Sequence, residues 1–77
     1  MSETEWLDIF SKNLIEMMDK YKYTQKRLAD ETGLQQSTIS RYIRKQQIPK
    51  VSALISIADV LGCTLDELAY FGDRIDL

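Results

Sequence analysis

Histidine is absent from the 77 residues, and cysteine occurs once, as Cys63. A single thiol cannot close a disulfide within the chain, and a structural zinc site lacks its ligands. The histidine-based triads and metal centres of common enzymes are excluded with it, so no enzyme activity, metal or cofactor is expected. Proline appears once and glycine three times. That is too few turn-formers for a succession of tight hairpins, and it favours helices over a β-sandwich. No uncharged stretch approaches the roughly 20 residues that a bilayer span needs; Val51 to Ala58 runs for eight. The first residues carry Glu3, Glu5 and Asp8, the wrong sign for a secretory leader. A cytoplasmic protein without membrane contact is therefore expected.

What is present is an ordinary globular balance, with 44% apolar and 29% charged residues. Its length suits one small domain, taken as residues 1–77, and leaves no room for a separate ligand-sensing unit. No small-molecule ligand is expected. The net charge of −2 hides a strong segregation. Residues 1–19 balance at −4, residues 20–50 at +6 and residues 51–77 at −4. The field met by a polyanion is local, because screening cuts off at about 8–10 Å.

Five helices are predicted, with no strand alternation, so the domain is all-α. Ser2 and Glu5 form a capping box ahead of an extended first helix over 5–21. Its apolar stripe is Leu7, Phe10, Leu14, Met17 and Tyr21, widened by Trp6, Ile9 and Met18. Thr24 caps a second helix, Gln25 to Thr32, which Gly33 ends. A third helix spans about Gln36 to Arg44, and Pro49 keeps Ile48 out of helix. Val51, Leu54, Ile55, Ala58 and Leu61 mark a fourth, stopped at Gly62. Thr64 and Glu67 are a second capping box, opening a short last helix that carries Leu65, Leu68 and Ala69. Residues 70–77 read as a tail.

The informative stretch is 25–44. Ala29 is small enough for the next helix to cross closely, Gly33 supplies a left-handed turn, and Ile39 faces back onto the second helix. This spacing is that of a helix-turn-helix. The run from Thr24 to Arg41, with Ile48-Pro49, Leu54 to Gly62 and Thr64 to Leu68, closely resembles the lambda-repressor/Cro-like helix-turn-helix family. The resemblance covers roughly Leu14 to Ala69. It implies a five-helix DNA-binding domain whose third helix enters the major groove, in a family of mostly phage and bacterial transcriptional regulators. Two positions depart from the family pattern. Gln35 replaces a common Ser or Thr cap, which predicts a weak start to the third helix. Lys45 replaces a common glycine, which predicts a differently shaped exit.

On the third helix, Ile39, Tyr42 and Ile43 share one face, while Gln36, Ser37, Ser40, Arg41 and Arg44 share the other. The outer face has no acid and offers the amide, hydroxyl and guanidinium groups that match base edges and phosphates. The resemblance puts Gln36, Ser37 and Arg41 at base-reading positions and Gln25 at a phosphate-binding one. Lys26, Thr38, Ser40, Arg44, Lys45 and Lys50 are the flanking or phosphate candidates. For the lysines the bland alternative is ordinary surface charge, and Arg27 is expected to pair with Glu31 one turn on. Trp6, Phe10 and the methionines read as core, and Cys63 as buried and inert. Asp66 and Glu67 read as capping and dipole partners rather than a catalytic pair.

These features predict a repressor that occupies a pseudo-palindromic double-stranded operator as a homodimer. The expected dimer contacts are Leu65, Tyr70 and Phe71. The tail, with Ile75 and Leu77, is equally consistent with packing under its own first helix. The alternative from another class is a protein-interaction module on the same fold, an antitoxin or adaptor component. It would more readily expose an apolar or acidic face than a basic one.

Overall fold

The computed structural model describes residues 2–69. Helix α1 (Glu3–Lys20) begins where Ser2 Oγ accepts the Glu5 N–H and the Glu5 carboxylate accepts the Ser2 N–H, both at 3.2 Å. These two bonds satisfy donors that a helix start otherwise leaves open. Helix α2 (Gln25–Thr32) follows Thr24, whose hydroxyl accepts the Arg27 N–H at 3.1 Å. Helix α3 is Gln36–Ile43 and α4 is Val51–Leu61. Helix α5 (Leu65–Ala69) opens on the reciprocal Thr64–Glu67 box, with bonds of 2.9 and 3.1 Å. Helix boundaries fall within two residues of expectation, and the described residues are all-α.

Helix α1 packs on α3 and α5, α2 on α3 and α4, and α4 on α5. Phe10, Leu14, Leu28, Ile39, Ile57 and Leu68 are fully enclosed at the centre. Trp6 stacks on Phe10, with ring centroids 5.5 Å apart, and Phe10 meets Tyr42 edge-on at 5.7 Å. An aromatic ladder thus runs from α1 to the inner side of α3. Asn13 of α1 reaches 3.1 Å to the Leu68 carbonyl and ties down α5.

The apolar stripes differ from expectation at their edges. Tyr21 is exposed: it is the C-cap of α1 rather than part of the helix, and the Lys20 ammonium lies over its ring at 5.2 Å. Met17 and Ile9 are only half-buried, since Met18 and Ser11 occupy the inner positions. In α4 the core face is Ala53, Leu54, Ile57, Ala58 and Leu61, while Val51 and Ile55 point outward. Both readings fit a four-residue step, and the positions of α2 and α5 decide between them. Cys63 is half-buried, and burial followed by the nearby Glu67 charge pushes its thiol pKa up. The tail 70–77, with Tyr70 and Phe71, lies outside the described residues. Among the described residues, no helix is long and apolar enough to cross a membrane.

Candidate nucleic-acid interface

The turn between α2 and α3 is stitched by its own backbone and by one hydroxyl. Gly33 takes φ 80°, in the left-handed region, and its N–H donates to the Ala29 carbonyl at 2.9 Å. Thr32 Oγ1 donates to the Leu28 carbonyl at 2.7 Å and accepts the Leu34 N–H at 3.2 Å. The hydroxyl therefore bridges the last turn of α2 to the entry of α3. Ala29 and Ile39 are buried where the two helices cross. Thr32 was not foreseen as part of the turn; its position directly before Gly33 was the available signal.

Helix α3 is held from behind along its inner face and at its C-terminal end. Ile39 and Tyr42 are buried and Ile43 half-buried, as their spacing predicts. Near its C-terminus the fully buried Ser11 hydroxyl donates to the Ile43 carbonyl at 2.8 Å. Past Arg44, the Lys45 N–H donates to the Tyr42 carbonyl at 3.2 Å and the Gln46 N–H to the Arg41 carbonyl at 2.8 Å. These are the two bonds of a Schellman motif, and Lys45 occupies its left-handed position with φ 62°. The exit thus keeps the conformation a glycine would adopt, correcting the expectation of a different shape. The entry is as weak as expected, because Gln35 makes no side-chain cap and only the Ser37 hydroxyl reaches its amide, at 3.4 Å.

Gln36, Ser37, Arg41 and Arg44 stand exposed together on the outer side of α3, with Ser40 and Thr38 half-buried at its margins. Among the described residues, no acid pairs with Arg41, Arg44 or Lys50. Other basic side chains are engaged. Lys26 pairs with Asp30 at 3.0 Å, and Lys45 reaches Asp8 of α1 at 3.1 Å. Arg27 bonds Glu31 at 2.9 Å and lies 4.2 Å over the Tyr23 ring, while the Tyr23 hydroxyl donates to the same carboxylate at 2.7 Å. The Arg27 guanidinium, and then the Tyr23 hydroxyl, hold the Glu31 carboxyl below the usual range. Arg27 is a helix-surface partner, as its spacing suggests. Gln25 lies half-buried in the first turn of α2 and lines a cleft with Ile43, at the end of α3. Leu65 is half-buried against its own core.

The family model for helix-turn-helix proteins matches residues 14–68, from the middle of α1 to the last turn of α5. No curated protein and no solved structure matches the chain.

Proposed function

The chain belongs to the lambda-repressor/Cro-like helix-turn-helix family of DNA-binding transcriptional regulators, and from that premise we propose that it is a repressor acting by operator occupancy. The observation that carries this reading is the outer face of α3: exposed, free of acids, and fixed from behind by Ile39, Tyr42 and the Ser11–Ile43 bond. Rigidity matters because a side chain reads a base edge only if its backbone is held in register.

In this reading α3 lies in the major groove. Gln36 can bond adenine N6 and N7 together, Arg41 can bond guanine O6 and N7, and Ser37 meets a base edge beside them. Gln25 approaches a phosphate at the start of α2, where first-turn N–H groups and the helix dipole favour an anion. Thr38, Ser40, Arg44 and Lys50 flank the reading residues. Lys26 and Lys45 reach phosphates by exchanging Asp30 and Asp8 for the backbone. Such solvent-exposed pairs are worth only about 0–1 kcal/mol, so the exchange meets little resistance. Phosphate contacts fix the register and base contacts supply the sequence. No cofactor takes part.

One module of this size grips few base pairs, and two linked copies gain affinity without new chemistry. A homodimer on a pseudo-palindromic operator, on a bacterial or phage chromosome in the cytoplasm, completes the proposal. Half-sites lie about one helical turn, roughly 34 Å, apart. The test is selection of bound duplexes from a random pool, followed by titration of the winner at rising salt. An enriched motif with inverted symmetry and a steep loss of affinity with salt is expected. A pool that shows no enrichment overturns sequence-specific repression and leaves the protein-interaction alternative.

A further inference from the structure

An open groove runs between α1 and the end of α3. Its first part, a cavity of about 550 Å³, has Ile15 and Ile43 as its apolar floor. Its second part, about 390 Å³, shares those two residues and adds Met18 and Tyr23. Ile15 is 47% exposed, so the floor lies open to solvent. The wall that α1 supplies extends from Asp8 to Asp19, about 16 Å at the helical rise.

The charges on the rim are uneven. Lys45 pairs with Asp8 at 3.1 Å. That leaves Glu16 and Asp19 against Lys12, and none of the three forms an ion pair among the described residues. Lys45 borders the first part of the groove and Gln25 the second. These are two of the residues assigned above to phosphates.

We propose that the groove seats a basic amphipathic segment of a partner protein, and that this segment and duplex DNA exclude one another. The inference rests on the DNA-binding reading and adds a regulator to it. A long, open groove with an apolar floor suits a helix or an extended peptide that anchors a few aliphatic side chains. A small molecule would be better served by a site that encloses most of its surface. The Glu16 and Asp19 carboxylates attract cationic flanks on the segment and oppose anionic partners such as lipid headgroups. Exclusion follows from the walls. A segment lying on Ile43 covers Lys45 and Gln25 and withdraws both from the DNA backbone. By linkage, DNA bound first weakens the segment by the same factor.

The test uses the full chain. Peptides are selected against it from a random displayed library, and the enriched sequence is synthesised with a fluorescent label. That sequence should carry aliphatic residues three or four apart among lysines and arginines, without acids. Anisotropy then reads its binding to the wild type, to Ile15→Ser and to the double change Glu16→Gln with Asp19→Asn. Ile15→Ser should weaken the peptide at least about tenfold, as loss of a central anchor does. It should keep its operator affinity within about twofold and melt close to the wild type, because the side chain is half exposed. The double change spares the apolar floor and should weaken the peptide about threefold at low salt, with the difference fading as salt rises. Operator duplex should release the peptide without forming a ternary complex. No enrichment, an acidic consensus, or a peptide indifferent to both variants overturns the inference. A ternary complex with DNA also overturns it and leaves the DNA-binding reading intact. Self-association of the wild type that Ile15→Ser abolishes overturns it too, since the groove then seats a second copy. A chain that takes the peptide but binds no duplex overturns the DNA-binding reading, and the exclusion falls with it.

Discussion

The Ser11 hydroxyl, fully buried on α1, donates a 2.8 Å hydrogen bond to the carbonyl of Ile43 in the last turn of α3. It joins residues 32 positions apart and fixes the end of α3 to α1, the longest helix among the described residues. Removing the donor leaves a carbonyl of the α3 terminus without that partner. Ser11→Ala should destabilise the chain by about 1–2 kcal/mol, the usual cost of orphaning a buried polar group. For a domain of this size that lowers Tm by several degrees, about 4–8 °C per kcal/mol. Thermal unfolding followed by circular dichroism reads it, with Lys12→Ala on the exposed side of α1 as a near-neutral control. A Tm unchanged within error would mean that solvent replaces the hydroxyl.

This bond also marks the limit of what the chain's pattern reveals. Thr24, Gly33 and the Thr64–Glu67 box were legible because caps and turns act within three or four residues. The outward placement of Gln36, Ser37 and Arg41 was legible because Ile39 and Tyr42 fix the helix phase. Ser11 was not, since a serine among apolar residues reads as polar surface until a carbonyl 32 residues away is seen to meet it. Val51 and Ile55 failed for a related reason. Periodicity gives a helix an apolar side, but the edge of that side depends on which neighbours dock. Lys22 and Lys45 carried no local sign of their left-handed conformation, because lysine does not favour it.

That conformation gives a second prediction. Lys22 ends α1 with φ 60°, in the same Schellman geometry as Lys45, with Tyr23 N–H bonded to the Met18 carbonyl at 2.8 Å. A side chain in this region costs about 1–2 kcal/mol, part of which glycine offsets through its greater freedom when unfolded. Lys22→Gly should therefore stabilise the fold by about 0.5–1 kcal/mol. Gly33→Ala should do the reverse by about 1–2 kcal/mol, and for backbone reasons alone, since an added Cβ there meets nothing within 4 Å. Urea titrations of the two variants check both signs. Equal shifts in one direction would refute the argument.

The pH dependence of stability follows from three lowered carboxyls. Glu67 is held down by the Thr64 backbone N–H and then its hydroxyl, Glu5 in the same way by Ser2, and Glu31 by Arg27 and then Tyr23. A carboxyl whose folded pKa lies below its unfolded one stabilises the fold fully above the unfolded value, about 4.3 for glutamate. The contribution is lost as pH falls through the folded value. The chain should hold its stability from neutral pH down to about 5 and lose it below about 4. In Glu5→Gln and Glu67→Gln the loss between pH 5 and 3 should be shallower than in the wild type. An equally steep loss in both variants would show that other groups control acid unfolding.

The last prediction separates sequence reading from electrostatics on one helix. Arg41 projects from the exposed side of α3 between the buried Ile39 and Tyr42, and no acid among the described residues engages it. Arg41→Ala should leave stability within about 0.5 kcal/mol, as exposed truncations usually do. At the selected operator it should cost about 1–3 kcal/mol, the discrimination carried by a bidentate contact to guanine, while random duplex loses much less. Lys45 behaves differently because Asp8 holds it at 3.1 Å in the free protein. Lys45→Ala should weaken operator and random DNA alike and reduce the salt slope by about one unit. Asp8→Asn, which releases Lys45 and removes an acid beside it, should strengthen both duplexes, most at low salt where exposed charges are least screened. A salt series on operator and random DNA resolves the three variants. Equal weakening of both duplexes by Arg41→Ala would make Arg41 a phosphate anchor rather than a base reader. If neither Arg41→Ala nor Lys45→Ala alters binding by a folded chain, the DNA face lies elsewhere than α3.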